Sequence, residues 1–173
     1  MSVVGTETTA FEQWYRNEHP RLLAALTVAA GNADAAQDIV SEAFARALER
    51  WDRVAVMQSP SGWVRQVAIN LLRRRMRRTA LEQQLLRRQR VVDEESPSYA
   101  IEPELWAAVA ALPPRQRAVV GLRVVLDLSQ DDTARLLHIR PGTVSAALVA
   151  ARRNVARALD DATDEQESEV RHA

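Results

Sequence analysis

The chain contains neither cysteine nor lysine. Without thiols, disulfides and thiolate metal sites are excluded, and nothing points to an oxidising compartment. Only five glycines and seven prolines occur in 173 residues. With few breakers and abundant Ala, Leu and Arg, the composition favours an all-α protein. No apolar stretch approaches the roughly 18–20 residues a membrane span needs. The first residues also lack the basic region and apolar run of a signal peptide. The expectation is a soluble cytoplasmic protein with no membrane insertion. The three histidines, His19, His138 and His172, are widely spaced and have no acidic partner motif. No catalytic constellation, metal ligand set or cofactor is therefore expected.

What is present is 47% apolar residue, enough to build one medium domain or two small ones. A formal net charge of zero conceals an uneven distribution: residues 1–92 hold 14 Arg against 9 acids, and residues 93–173 hold 9 Arg against 14 acids. A local basic patch attracts polyanions even on a neutral protein.

The most telling stretch runs from Leu128 to Leu159. Ser129 is placed to cap a short helix, with Asp132 three positions on as its capping-box partner. His138-Ile139-Arg140-Pro141-Gly142 breaks that helix. Thr143-Val144-Ser145 opens a second one, with apolar residues at Val144, Leu148, Ala151, Val155 and Leu159. Two helices around a short turn form either a DNA-reading helix-turn-helix or an ordinary helical hairpin.

Upstream, Phe11–Ala30 is helical with an interruption at Pro20, and Asp34 begins a strong helix through Trp51. On that helix Asp38 and Glu42 are four apart and share a face. No histidine or pocket motif accompanies them for acid–base work, leaving solvated surface or a docking face for a basic partner. Val54–Gly62 reads as a loop, and Trp63 to about Met76 as a further helix. Its end carries Arg73, Arg74, Arg75, Arg77 and Arg78, more cations than a helix C-terminus needs, which points to a polyanion. The acidic, Pro/Ser-bearing stretch 93–103 reads as a linker between helical domains at 10–92 and 104–160. Residues 161–173 read as a disordered acidic tail. That tail is also a candidate cover for Arg152 and Arg153, in competition with DNA.

Together these stretches resemble an extracytoplasmic-function (group 4) sigma factor of bacterial RNA polymerase. Asp34-Ala-Ala-Gln-Asp38-Ile-Val-Ser-Glu42-Ala-Phe44 resembles region 2.2, and Trp63-Val-Arg-Gln-Val-Ala-Ile-Asn70 the signature before the promoter-melting surface. Leu112-Pro-Pro-Arg115-Gln-Arg-Ala-Val-Val-Gly-Leu-Arg123 resembles region 4.1. Leu128-Ser129 and Pro141-Gly-Thr-Val144 match the region 4.2 helix-turn-helix. The resemblance implies two small helical domains, sigma regions 2 and 4, joined by a flexible linker, and a factor with no catalysis of its own. Its partners would be core RNA polymerase (clamp and flap), promoter DNA and, in many members, an anti-sigma factor.

The resemblance also implies residue roles. Asp38, Ile39 and Glu42 would meet the polymerase clamp, with Val40 adding buried area. Asn70, Arg73, Arg74, Arg77 and Arg78 would hold DNA near the -10 element, and the Val54–Gly62 loop would capture an unpaired base. At -35, Arg123, Ser129 and Thr143 would steady the backbone and Ser145, Ala146 and Val149 would face bases. Arg152 and Arg153 would lie beside them. Three departures stand out. Ser41 replaces the usual Gln and Arg74 the usual Asp, while Ser145, Ala147 and Ala150 stand where the family tends to carry Lys or Arg. A -35 contact that is weak, or read through apolar contact with thymine methyls, follows from the last. The residues alone also leave open an autonomous helix-turn-helix regulator that binds operator DNA as a dimer.

Overall fold

The computed structural model describes the backbone of residues 3–86 and 102–172 and the side chains of residues 9–81 and 102–163. Most of the expected linker lies outside the described residues. The described chain is helical, in the order α1 Val3–Ala30, α2 Ala33–Leu48, α3 Trp51–Val54, α4 Pro60–Leu86, α5 Pro103–Ala110, α6 Pro114–Val120, α7 Gln130–Leu137 and α8 Pro141–His172. One π-helical turn, Gly121–Val125, continues α6.

The front helices, α1 to α4, build the larger core. Leu22 and Leu26 of α1, Ile39, Val40 and Phe44 of α2, and Val64, Ile69 and Leu72 of α4 are buried together. Asn32 starts α2 by accepting a hydrogen bond from the Ala35 backbone N–H at 2.6 Å, which satisfies one of the helix's free donors. At the outer end of α1, Phe11 and Trp14 pack on Trp51, with ring centroids 5.1 and 4.9 Å away. Trp51 is thus a packing residue, and the Trp14 indole N–H reaches the Ser61 hydroxyl at 3.3 Å, tying α1 to the start of α4.

Three elements differ from the expectation. Pro20 does not divide α1, which runs unbroken from Val3 to Ala30. The ring sits on the exposed side, and tertiary packing of Leu22, Ala25, Leu26 and Ala29 holds the helix together across the lost hydrogen bond. The acidic tail is not disordered: α8 runs on to His172. Its Ala-, Glu- and Arg-bearing sequence has no Gly or Pro and extends a helix already nucleated by packing. Eight residues of helix separate Arg153 from Asp161, about 12 Å along the axis. A tail in line with the helix does not fold back over Arg152 and Arg153, and the cover idea falls. Finally, the stretch that resembles region 4.1 is not one regular helix but α6 plus the π turn, in which the Leu126 N–H donates to the Gly121 carbonyl at 3.1 Å.

The two helical sets are also not held apart. Ala118, Leu122 and Leu126 of the rear set belong to the same buried cluster as the front core. Val28 of α1 packs with Trp106 and Ala110 of α5. Helix α1 is the wall both sets use.

Two stability effects follow. Leu72 is 1% exposed at the centre of this cluster, so Leu72→Ala should lower the unfolding free energy by about 2–5 kcal/mol in urea titrations. His19 stacks on Tyr15 at 4.7 Å, its Nε2 is buried without a hydrogen-bond partner, and burial lowers its pKa below the ordinary histidine value. With the folded pKa below the unfolded one, its contribution is complete above about pH 6.5 and is lost as pH falls through the folded value. Unfolding midpoints should therefore drop between pH 7.5 and 5.5, and His19→Gln should flatten part of that slope.

Candidate nucleic-acid interface

The rear helices form a helix-turn-helix. Ser129 caps α7 by accepting from the Asp132 N–H at 3.0 Å, and its hydroxyl donates back to the Asp132 carboxylate at 2.6 Å. The Ser129 hydroxyl, followed by the Arg135 guanidinium, holds the Asp132 carboxyl below the usual carboxylate range. Helix α7 ends at His138 in the left-handed conformation (φ 54°), and the Ile139 N–H closes the end on the Ala134 carbonyl at 3.0 Å. Pro141 then opens α8. The turn needs no unusual glycine: a Cβ on Gly142 would meet nothing within 4 Å. Val119, Ala134, Val144 and Ala147 fill the small core behind the motif.

Outward, the 3.6-residue period puts Ser145, Ala146, Val149, Arg152 and Arg153 on one face of α8, all exposed. Ser145 donates to the Gln130 side-chain oxygen at 2.8 Å, fixing the start of α7 beside the reading helix. Gln130, exposed at the first position of α7, was not singled out in the sequence, since no apolar period marks an exposed amide. Thr143 is half-buried at the helix entry. Arg123 is half-buried and donates through Nη1 to the Leu128 carbonyl, so it braces the approach to α7. Ala147 is only 9% exposed in the motif's core. A cation there would point inward, so its absence removes no phosphate contact, and the deficit expected in the reading helix narrows to Ser145 and the half-buried Ala150.

A second basic face lies on α4. Asn70, Arg73, Arg74, Arg77 and Arg78 fall on one side of the helix by their three- and four-residue spacing. Asn70 accepts from the Gln66 amide at 3.3 Å. Among the described residues, Arg73, Arg74 and Arg77 form no ion pair, which leaves their charge for a polyanion. Arg75 lines a separate cleft with Pro114 and Arg117. Between α3 and α4, Val56 and Met57 are 83% and 40% exposed. Two apolar side chains held in water on a short loop are a surface that periodicity does not reveal. Ser59 anchors the loop by accepting from the Gly62 N–H at 3.0 Å.

On α2, Asp38 and Glu42 are both exposed, and Glu42 pairs with Arg46 at 2.5 Å. Ile39 and Val40 are not on this surface: they are 5% and 0% exposed, pointing into the core. The reason is register, because the stripe of Ile39, Val40, Ala43 and Phe44 lies opposite Asp38 and Glu42. The apolar residue bordering the acidic face is Leu48, which is 54% exposed. Among the described residues no group of three or more His, Asp or Glu side chains is arranged to hold a metal. No described helix is long and apolar enough to cross a membrane.

Comparison with known proteins matches these surfaces to a family. Residues 14–82 match sigma-70 region 2 and residues 103–155 match sigma-70 region 4. The RNA polymerase sigma-E factor of Streptomyces antibioticus is 31% identical over 145 residues, covering 82% of this chain and 80% of that one. Its counterpart in Streptomyces coelicolor is 29% identical over 174 residues, covering 96% and 98%. In fold, the chain is similar to the sigma factor RpoE of Bartonella quintana, solved with the anti-sigma factor NepR, at a TM-score of 0.68 and 20% identity over 87% of this chain and 97% of that one. CnrH, solved with the cytosolic domain of CnrY, gives a TM-score of 0.56 at 21% identity over 89% and 90%. The chain belongs to the extracytoplasmic-function branch of the sigma-70 family, and is a sigma factor that binds bacterial core RNA polymerase and directs promoter-specific initiation of transcription.

Proposed function

We propose a division of labour in which residues 10–92 dock on the polymerase and open DNA at the -10 element while residues 104–160 hold duplex at -35. The reading is carried by two separate exposed faces on one chain, the arginine face of α4 and the outer face of α8. A dimeric operator-binding regulator has no use for the first, which lies on a different helical set from its reading helix. Residues 93–103 serve as the connection, and 161–173 as a helical extension.

Asp38 and Glu42 meet a basic coiled coil of the clamp, setting orientation and association rate, with Leu48 supplying apolar contact in the place expected for Ile39. The rear helices rest on the flap. Arg73, Arg74, Arg77 and Arg78 neutralise phosphates beside the opened strand, with Asn70 among them, while Val56 and Met57 offer a surface for an unstacked base. On α8, Ser145, Ala146 and Val149 face the major groove, where Val149 suits a thymine methyl. Arg152 and Arg153 contact phosphate, Ser129 and Thr143 hold the helix entries, and Arg123 positions the motif from behind. The factor acts in the cytoplasm, where polymerase and DNA are, and works by binding with no catalysis of its own. An anti-sigma factor is a further partner. The Bartonella protein was solved with one, and an open apolar groove of about 520 Å³ lined by Val28, Leu105, Trp106, Val124, Leu148 and Val155 gives such a partner a surface.

In vitro transcription should yield promoter-specific product only when this chain and core polymerase are both present; tight operator binding without core would sink the proposal. Asp38→Arg with Glu42→Arg should weaken core binding roughly tenfold, mostly through slower association, in stopped-flow measurements. For holoenzyme on a -35-containing fragment, Arg152→Ala and Arg153→Ala should each lower the slope of log K against log salt by about 0.9.

A further inference from the structure

The outer face of α8 begins with a hydrogen bond that limits what the face can read. Ser145 follows Val144, which is 1% exposed and packs with Val119, Ala134 and Ala147 behind the motif. That packing fixes the rotation of α8 and turns the exposed Ser145 away from the core. Gln130 reaches it from the neighbouring helix. Its backbone is held at the first position of α7, directly after the Ser129 cap, and its side-chain oxygen lies 2.8 Å from the Ser145 hydroxyl. Both residues are exposed, and a DNA groove that expels water from around them strengthens the bond.

A serine hydroxyl carries one hydrogen and two lone pairs. In many helices that hydrogen goes to the carbonyl four residues back. Here Ser145 donates it to Gln130. What remains facing outward is acceptor-only on Ser145 and donor-only on Gln130, whose Nε2 has no hydrogen-bond partner among the described residues. In the major groove adenine N6 and cytosine N4 donate, whereas guanine O6 and thymine O4 accept. A serine with its hydrogen free takes either kind of group. One with its hydrogen committed takes only the amino groups. The first helix of such a motif crosses the DNA backbone, so the Gln130 amide N–H groups are placed for a phosphate oxygen.

We infer that Gln130 is a positioning residue that sets promoter specificity: by holding the Ser145 hydrogen it makes Ser145 select adenine or cytosine over guanine or thymine at one position of the -35 element. The inference rests on the proposed placement of α8 at -35. Of the three side chains assigned there to bases, Ser145 is the polar one, so the hydrogen-bonding choice falls on it. Opposite guanine or thymine, two acceptors face each other with no hydrogen between them, and an acceptor left dry and unpaired is costly.

Holoenzyme assembled from the full chain and core polymerase can be run on templates randomised through the -35 element, with transcripts counted by sequence. The unaltered factor should prefer A or C over G or T on one strand at one position, roughly tenfold. Gln130→Leu frees the hydrogen and should flatten that preference to within about twofold, leaving the other positions as they were. Gln130→Glu still accepts the hydrogen, so the base preference should persist while overall -35 dependence falls with the lost N–H donors. Ser145→Ala should abolish the preference. All three changes lie on the exposed surface and should leave the helical content native by circular dichroism. Absence of the preference in the unaltered factor, or its loss at every -35 position alike in Gln130→Leu, overturns the inference. If Ser145→Ala alters no position, the placement of α8 at -35 falls and the inference falls with it. If Ser145→Ala acts while Gln130→Leu keeps the preference, the placement stands and the inference alone falls.

Discussion

Everything in this molecule leans on one helix. The inner stripe of α1, from Leu22 to Ala29, is a surface that both helical sets bury: Leu22 and Leu26 against the front core, Val28 against α5, and Ala25 and Ala29 against Gly121. Small residues on both sides of the last contact let backbone approach backbone, which gives dispersion a short range to act over but leaves no slack for a side chain. A helix that closely engaged tolerates Pro20 in its middle, because packing supplies what the missing hydrogen bond does not.

Charge and apolar surface do different work across the chain. In the proposed function the exposed carboxylates of α2 and arginines of α4 set direction and rate, and each is weakened by salt. Affinity must come from area, and the apolar side chains left in water, Leu48, Val56, Met57 and Val149, are the ones positioned to supply it. Each sits beside a charged or polar residue that the sequence made conspicuous. The acidic pair draws the eye to Asp38 and Glu42, while Leu48 further along the same helix carries no such signal and is 54% exposed.

That contrast explains how much of the fold was legible. Periodicity located α2, α4, α7 and α8, and the Ser129 cap and the His138–Pro141 break bounded the helix-turn-helix, since caps and breakers act on their own neighbours. Periodicity says which face of a helix is apolar, not what it meets. The apolar sides of α1 and α6 were visible, but that they meet each other depends on Gly121, whose role exists only when α1 stands beside it. The resemblance places Ile39 at the docking surface, although its own register with Val40, Ala43 and Phe44 marks it as core. The extension of α8 is masked in the sequence by its net charge, while helix propensity in a segment with neither Gly nor Pro favours it.

The π turn has a geometric effect of its own. One extra residue in a helical turn rotates everything after it by about 100° relative to a regular helix. Between Gly121 and Val125 that twist falls just before Leu126, whose carbonyl accepts from Arg21, and so bears on the direction in which the chain leaves α1 for α7. Removing one residue from that turn would rotate the chain that follows it against α1, so length through the turn is constrained alongside the identity of Gly121.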